Sequence, residues 1–255
     1  MKYNIVTIKW GDKYSPDDVN RLYHSVRENT NFEVQFYCFT DNPQGLDESI
    51  IQYPLPPIQI LDEHKHYIYL KEAGLCDDYL GHLKMQRVFF FDLDVVIVGN
   101  LDDLFAYPKN DEFVIINDWN TKGNHVGQAS MYSWMVGTLG HIKEEYEQRP
   151  HEIIQEFGTA SQEYLSNRVI QKYGQLIFWP KSWCVSFKQH CLPVWYLRYF
   201  KTPVCPEGVK VIAFHGDPKP ANAVKGQWSD KKIPWYKKIY KHTKPTVWLN
   251  RYLQD

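Results

Sequence analysis

Residues 88–94 (VFFFDLD) constrain the fold of this 255-residue chain most strongly, because four apolar residues lead directly into two carboxylates. A short, wholly apolar strand is typical of the centre of a parallel sheet, where both faces are buried. Residues i and i+2 of an extended chain project to the same side, so Asp92 and Asp94 can converge on one point beyond the strand. Two unpaired carboxylates there would repel each other and lose hydration. Because a divalent cation removes both problems, the motif predicts a metal site.

Two other interpretations of this motif are open at this point. One Asp could cap a helix near residues 101–105 while the other faces water. An apolar strand ending in D-x-D also opens phosphatases and phosphotransferases of the haloacid dehalogenase superfamily, whose first Asp is a nucleophile and whose second is a general acid. That superfamily usually places the motif at its first strand and has Thr or Ser two residues on. Here the motif begins at residue 92 and is followed by Val95-Val96, which argues against a phosphatase.

A second, mostly apolar segment at residues 209–214 ends in His215-Gly216 and is followed by Lys219. His215 could contribute an imidazole nitrogen to a cation held by Asp92 and Asp94. Gly216 would let the backbone approach an anion closely, and Lys219 could pair with a phosphate. This mixed nitrogen and oxygen ligand set suits Mn²⁺ better than Ca²⁺ and also fits Mg²⁺. The alternative is a strand-end His bonded to backbone and a solvated lysine.

The order of predicted elements indicates one α/β domain. A strand at residues 3–8, a helix from Pro16 to about residue 29 capped by Ser15, and a strand at residues 32–40 form a βαβ unit, which suggests a parallel sheet. The predicted inward face of that helix consists of Val19, Leu22, Tyr23 and Val26. Further helices are predicted at residues 66–80, 139–147 and 160–172, and further strands at 87–91, 113–117, 175–179 and 210–214. We place the domain at residues 1–224 and a C-terminal tail at residues 225–255.

Composition argues against several classes of protein. The five cysteines show no C-x-x-C spacing, which argues against a zinc site or a disulfide framework and favours a reducing compartment. A net charge of −1 gives no indication of nucleic acid binding. The N-terminus lacks the apolar stretch of a signal peptide and no run reaches the length of a membrane span, so we expect a cytoplasmic protein. The 9 Trp, 18 Tyr and 13 Phe suit stacking on sugars, although an aromatic core explains them equally well.

The two motifs together resemble those of glycosyltransferases with the GT-A fold, and among them family eight, which includes glycogenin and bacterial lipopolysaccharide galactosyltransferases. Residues 90–105 look like the D-x-D strand of that family with its following turn and helix, and residues 215–220 look like its C-terminal metal and phosphate motif. Residues 8–14 and 20–23 also resemble a bacterial branch of the family. The resemblance covers residues 1–222 and implies a Rossmann-like domain with a mixed, mostly parallel sheet flanked by helices.

The resemblance implies a UDP-sugar donor, Mn²⁺ or Mg²⁺ as cofactor, and transfer with retention of anomeric configuration. It also implies that Asp92, Asp94 and His215 bind the metal. The residues that the resemblance and the motifs assign to the donor nucleotide are Thr7, Lys9, Trp10, Tyr14, Asp41, Lys71, Asp92, Gly216 and Lys219. Gln162 is implied beside the anomeric carbon. Asp118 follows a predicted strand and is a candidate to contact the sugar or the acceptor, or else a turn residue.

Two departures from the family pattern motivate a different hypothesis. The chain has Gln128-Ala129-Ser130 where the family often has Asn-Ser-Ser or Asn-Ala-Gly, and it has Ser161 where the family has Asp before Gln162. The absence of a carboxylate at position 161 favours, as an alternative, a protein that binds sugar nucleotides or glycans without turning them over.

The tail differs from the rest of the chain in charge. Its basic residues are Lys225, Lys231, Lys232, Lys237, Lys238, Lys241, Lys244 and Arg251, against Asp230 and Asp255. Its Trp and Tyr residues are Trp228, Trp235, Tyr236, Tyr240, Trp248 and Tyr252. Basic residues attract anionic headgroups and these rings favour the headgroup boundary. The tail therefore predicts peripheral contact with the inner face of a membrane and a glycan or lipid-linked acceptor, unless the rings pack beneath the domain and the lysines face water.

Overall fold

The computed structural model describes residues 2–65, 69–120, 123 and 125–253. The helices are α1 (Pro16–Glu28), α2 (Tyr69–Glu72), α3 (Asp102–Ala106), α4 (Gly140–Gln148), α5 (Pro150–Phe157), α6 (Ser161–Tyr173) and α7 (Pro220–Lys225). The strands are β1 (Lys2–Lys9), β2 (Glu33–Thr40), β3 (Ile51–Tyr53), β4 (Arg87–Phe91), β5 (Val95–Ile97), β6 (Val114–Asn117), β7 (Gly127–Met135), β8 (Ile177–Phe178), β9 (Cys184–Ser186) and β10 (Val211–Ala213). Short 3₁₀ helices span Asp62–His64, Gly74–Cys76, Trp195–Leu197, Trp235–Ile239 and Val247–Tyr252, and a π-helical turn spans Phe187–Cys191.

The main sheet is mixed and mostly parallel, as the sequence predicts. Its strand order is β3-β2-β1-β4-β7-β6-β8, in which β1 runs parallel to β2 and β4, and β7 runs antiparallel to both of its neighbours. Strand β4 is central, and Val88 to Phe91 have no exposed surface. Because β1, β2 and β4 are parallel, their carboxyl ends meet at one edge, where ligands bind in open α/β sheets.

A smaller sheet with the order β5-β10-β9 connects the two sequence motifs. Strand β5 follows Asp94 directly and pairs antiparallel with β10, which precedes His215. The Phe214 backbone N–H also donates to the Asp94 carbonyl at 3.1 Å. Two segments that are more than a hundred residues apart are thereby brought to the same edge of the fold, as their chemistry suggested.

Helix α1 forms for local reasons that are visible in the sequence. The Ser15 hydroxyl accepts from the Asp18 N–H and the Asp18 carboxylate accepts from the Ser15 N–H, which is a complete capping box, and Pro16 occupies the first turn. The buried residues of α1 are Val19, Leu22, Tyr23 and Val26, which confirms the predicted face.

The helix predicted at residues 66–80 is wrong where the structure describes it. Helix α2 has four residues, a 3₁₀ turn follows, and residues 66–68 lie outside the described ranges. The Asp77 carboxylate accepts from the backbone N–H groups of Tyr79 and Leu80, both at 3.0 Å, and so competes with helical hydrogen bonds. Leu80 then takes a φ of 39°, which a helix cannot contain.

Neither β7 nor α5 was predicted from the sequence. Strand β7 is buried over eight of its nine residues although it contains Gln128, Ser130 and Ser133. These polar side chains have partners in the fold: the Gln128 side-chain oxygen accepts from the Ser130 N–H at 2.8 Å, and the Ser133 hydroxyl accepts from Arg87 at 3.1 Å. Partners of this kind cannot be read from apolar periodicity, so the longest strand of the sheet escaped prediction.

The C-terminal residues pack on the smaller sheet. Leu249 is fully buried in a cluster with Phe187, Ile212 and Phe214. The Trp248 indole donates to the Pro203 carbonyl at 2.9 Å. Part of the tail is therefore integral to the fold, and its division from the domain at residue 224 stays a prediction.

Candidate active site

Asp94 is a buried carboxylate at the edge where β1, β2 and β4 end. Its Oδ2 accepts from the Tyr14 hydroxyl at 3.0 Å and from the Lys219 ammonium at 2.8 Å. Its Oδ1 is buried and has no hydrogen-bond partner among the described residues. Burial raises the pKa of the Asp94 carboxyl, the charge of Asp92 raises it further, and Lys219 opposes both. Oδ1 therefore offers an unused oxygen to a cation, which is the arrangement that a metal ligand needs.

Asp92 lies between the strand end and helix α2. Its Oδ2 accepts from the Lys71 ammonium at 2.9 Å and its Oδ1 from the Leu93 N–H at 3.0 Å. Burial alone would lower the pKa of Lys71, but Asp92 and Glu72 more than offset it, so the pKa is raised and Lys71 stays charged. Helix α3 begins after Leu101 without a side-chain cap. The helix-capping interpretation of the two carboxylates is therefore wrong.

His215 lies beside this pair without completing it. Its Nε2 is 2.8 Å from the Ser186 hydroxyl, and its ring stacks on Trp119 with centroids 5.6 Å apart. Burial, with the charge of Lys188, lowers the pKa of His215 to about 4, so the imidazole is neutral at neutral pH, as a metal ligand must be. Among the described residues, Asp92, Asp94 and His215 do not form a group whose ligand atoms all lie within 4.8 Å of one another.

The residues assigned to the nucleoside lie at the ends of β1 and β2, and their contacts differ. Thr7 is fully buried and its hydroxyl donates to the Phe91 carbonyl at 2.8 Å, so it ties β1 to β4. Lys9 is buried and Trp10 is half-buried at the end of the same strand. The Asp41 carboxylate is exposed and accepts from the Gly11 N–H at 2.9 Å. Asp41 therefore shapes the loop between Lys9 and Tyr14.

Lys188 is a candidate site residue that was not predicted from the sequence. It is half-buried on the π-helical turn, and it makes no hydrogen bond or ion pair with the residues described here. Burial lowers the pKa of Lys188 and Lys219 lowers it further, while Asp217 and Asp94 raise it. Gly216 has a φ of 72°, and a Cβ there would lie 3.5 Å from the Lys188 ammonium. Lys188 thus places a positive charge beside Gly216, close enough to Lys219 for the two charges to interact, and this arrangement suits an anion.

Asp118 and Gln162, the two candidate residues for contact with the sugar or the acceptor, have different surroundings. The Asp118 carboxylate accepts from the Asn120 N–H at 3.1 Å, so it does have the role of a turn residue. It also lines a cavity of about 380 Å³ together with Trp119, Lys181 and His190. The Gln162 side-chain oxygen accepts from the Ala129 N–H at 3.5 Å, next to Ser130, whose carbonyl accepts from the Asp92 N–H at 2.8 Å. Gln162 therefore lies near Asp92, whereas the charge of Asp118 acts on His215.

No protein-family profile matches this chain, and no curated protein matches it by sequence. Solved structures do match. The galactosyltransferase LgtC, in complex with donor and acceptor sugar analogs, has a TM-score of 0.56 at 14% identity over 97% of this chain and 99% of its own. The glycosyltransferase GlyE of Streptococcus pneumoniae TIGR4 has a TM-score of 0.55 at 14% identity over 98% of this chain and 63% of its own. The bifunctional glycosyltransferase WbbM has a TM-score of 0.54 at 15% identity over 94% of this chain and 51% of its own.

The chain therefore shares the fold of these glycosyltransferases, and the GT-A-like fold predicted from the two motifs is confirmed. The chain spans nearly all of LgtC, but only 63% of GlyE and about half of WbbM.

Proposed function

We propose that this protein is a metal-dependent glycosyltransferase that moves a sugar from a UDP-sugar to a glycan or lipid-linked acceptor, with retention. The observation that carries the proposal is the buried Asp94, which lies between Asp92 and Lys219 at the carboxyl edge of a GT-A-like sheet and whose Oδ1 has no hydrogen-bond partner in the part of the chain that the structure describes. The LgtC structure holds donor and acceptor sugar analogs, which supports a donor and an acceptor here.

Asp92, Asp94 and His215 would hold Mn²⁺ or Mg²⁺, which supplies positive charge against the diphosphate when bound. Lys219 and Lys188 would oppose the negative charge that grows on the leaving phosphate as the glycosidic bond breaks. Lys71 would face the donor from the far side of Asp92. Asp118 and Gln162 would contact the sugar or the acceptor. No strong base is needed opposite the donor, because the leaving phosphate can take the acceptor's proton.

A screen of UDP- and GDP-sugars with Mn²⁺, read by nucleotide release, tests the proposal. We expect release from at least one UDP-sugar, lost when EDTA removes the cation and restored by Mn²⁺. Calorimetric titration with UDP and Mn²⁺ runs beside the screen. Binding without any release, by hydrolysis or by transfer, would establish the sugar-nucleotide binder instead. Turnover of p-nitrophenyl phosphate without any response to UDP would establish the phosphatase.

An exposed aromatic patch joins the tail to an earlier segment. Its residues are Trp195, Tyr196, Tyr199, Phe200, Trp235, Tyr236, Ile239 and Tyr240. Phe200 is 76% exposed and Trp235 is 80% exposed. Arg198 donates to the Tyr240 carbonyl at 2.7 Å and the Tyr199 hydroxyl to the Lys238 carbonyl at 2.8 Å, so the two segments form one surface. Only the Trp and Tyr residues that the tail contributes to this patch were identified from the sequence.

This patch supports the proposal that the protein binds the inner face of a membrane peripherally. Monomeric soluble proteins seldom expose contiguous apolar surface of this kind without a partner. The exposed lysines around it are Lys201, Lys231, Lys232 and Lys238. Rings flanked by lysines match the chemistry of an anionic headgroup boundary. Within the described ranges, no helix is long and apolar enough to cross a bilayer.

Replacement of Phe200 and Trp235 by Ser is expected to reduce co-sedimentation with anionic vesicles about tenfold or more, because each ring contributes buried apolar area at the headgroup boundary. The matched control replaces Tyr79 and Met85, which are 61% and 72% exposed outside the patch, and should leave sedimentation unchanged. Point variants are preferable to removal of the tail, because truncation would strip the buried Leu249 from the core. If the unaltered protein stays in the supernatant with anionic vesicles at low salt, the membrane proposal is wrong.

A further inference from the structure

Glu72, the last residue of α2, is a buried carboxylate that neither sequence motif contains. Its side chain is only 3% exposed. Its Oε1 lies 3.3 Å from the Lys71 ammonium, while its Oε2 is buried without a hydrogen-bond partner among the described residues. Taking a carboxylate out of water costs so much hydration energy that such a group is kept only where its charge or its oxygens are used.

Burial raises the pKa of the Glu72 carboxyl and Asp92 raises it further, while Lys71 and Ser161 oppose the rise. Ser161, the first residue of the 13-residue helix α6, lies beside this carboxylate. The N-terminus of a helix carries partial positive charge, which favours an anion beside it. Glu72 therefore contacts Lys71 on one side and the start of α6 on the other.

Lys71 consequently lies between two carboxylates. Its ammonium is 2.9 Å from Asp92 Oδ2 and 3.3 Å from Glu72 Oε1. An ammonium has three N–H donors, so these contacts engage two and leave one for an oxygen of a bound molecule. The Asp92 side chain is 21% exposed, so the group is reached from the side where the donor would lie.

We propose that Glu72 is a positioning residue: its carboxylate fixes the Lys71 ammonium against Asp92 and does so in place of a carboxylate at the adjoining position 161. The inference rests on the proposed glycosyltransferase function. It also accounts for Ser161 at the position where the family has Asp. The carboxylate that is absent from the start of α6 is supplied by Glu72 on the adjoining helix α2. The missing Asp therefore gives no reason to expect an inactive protein.

A double-mutant cycle of Glu72→Gln and Ser161→Asp tests this transposition. Glu72→Gln keeps the shape and removes the charge, so Lys71 loses one of its two anchors. We expect kcat/KM for the donor to fall about 10- to 100-fold, the range found when a partner of a ligand residue is removed, with little change in the unfolding temperature. Adding Ser161→Asp to Glu72→Gln should restore most of the loss, whereas Ser161→Asp alone should lower activity by crowding a third carboxylate around Lys71. The matched control is Glu63→Gln, whose side chain is 65% exposed.

Recovery of activity in the double variant distinguishes a positioning role of Glu72 from a merely structural one, because a charge at position 161 could not replace a structural contact. Activity of Glu72→Gln within twofold of the unaltered protein would overturn the proposal, and so would a double variant no better than Glu72→Gln. If Glu72→Gln does not fold, a folded and active double variant supports the proposal and an unfolded one overturns it.

The unfolding temperatures of the unaltered protein, the two single variants and the double variant are also measured, and this measurement does not depend on the proposed function. If the unaltered protein releases no nucleotide from any donor, the proposed function fails, and the coupling between the two substitutions in stability still decides the transposition. A double variant more stable than the two single effects predict supports it, and additive effects overturn it.

Discussion

Asp94→Asn is expected to abolish Mn²⁺-dependent binding of UDP and to lower nucleotide release at least about 100-fold while the protein stays folded. The amide has nearly the shape of the carboxylate but lacks the charge that a cation needs. Burial, and then Asp92, raises the pKa of the Asp94 carboxyl above its ordinary value. A carboxyl with a raised pKa in the folded state destabilises the fold once the pH exceeds its value in the unfolded chain. The neutral amide removes that penalty at neutral pH, so the unfolding temperature should not fall.

The matched control for this variant is Asp103→Asn, an exposed carboxylate paired with Lys210 at 3.1 Å. It should leave both UDP binding and release unchanged. Calorimetry of UDP with and without Mn²⁺ and a thermal melt of each variant complete the measurement. Unchanged UDP affinity in Mn²⁺ for Asp94→Asn would mean that the cation, if used at all, binds elsewhere.

Lys219→Met is expected to lower nucleotide release about 100-fold at saturating donor, because the ammonium opposes charge that develops only as the leaving phosphate departs. Methionine keeps the aliphatic stem that lies over the Tyr14 ring, where the ammonium is now 5.5 Å from the centroid. Asp94 retains its hydrogen bond from Tyr14 in this variant, so the fold should survive. Measurement of kcat and KM separately, with a thermal melt, tests the expectation.

The control is Lys2→Met, which removes another lysine paired with a carboxylate, Glu33 at 3.2 Å, from the opposite end of β1. Its kinetics should be those of the unaltered protein. Normal turnover of Lys219→Met with saturating donor would show that Lys219 only balances the charge of Asp94.

The features that were predicted correctly depend on residues close together in the sequence. The apolar run into Asp92 and the capping box at Ser15 lie within a few residues, and both β4 and α1 were found where expected. The convergence of the two motifs was inferred from two strand ends, and the structure places Lys219 of the second motif 2.8 Å from Asp94 of the first. Their roles as metal and phosphate ligands stay predictions.

What escaped prediction depends on contacts between distant segments. Lys188 becomes a candidate only because a π-helical turn brings it beside Gly216, and no sequence pattern used here indicates such a turn. Glu72 was hidden in a segment predicted as a regular helix, and its meaning depends on Ser161, far along the chain. The position of His215 was predicted, but its contacts with Ser186 and Trp119 were not.

The ion pair between Lys219 and Asp94 makes the uptake of positive and negative ligands interdependent. On the proposed function, a cation at Asp94 Oδ1 would repel the Lys219 ammonium held at Oδ2, and an anion at Lys219 would repel the Asp94 carboxylate. Each ligand alone would therefore meet an unfavourable charge that the other ligand offsets. By thermodynamic reciprocity, the factor by which UDP would strengthen Mn²⁺ binding equals the factor by which Mn²⁺ would strengthen UDP binding. Metal alone would therefore bind weakly until a nucleotide arrives. Occupancy of the site would rise more steeply with the two ligands together than with either alone.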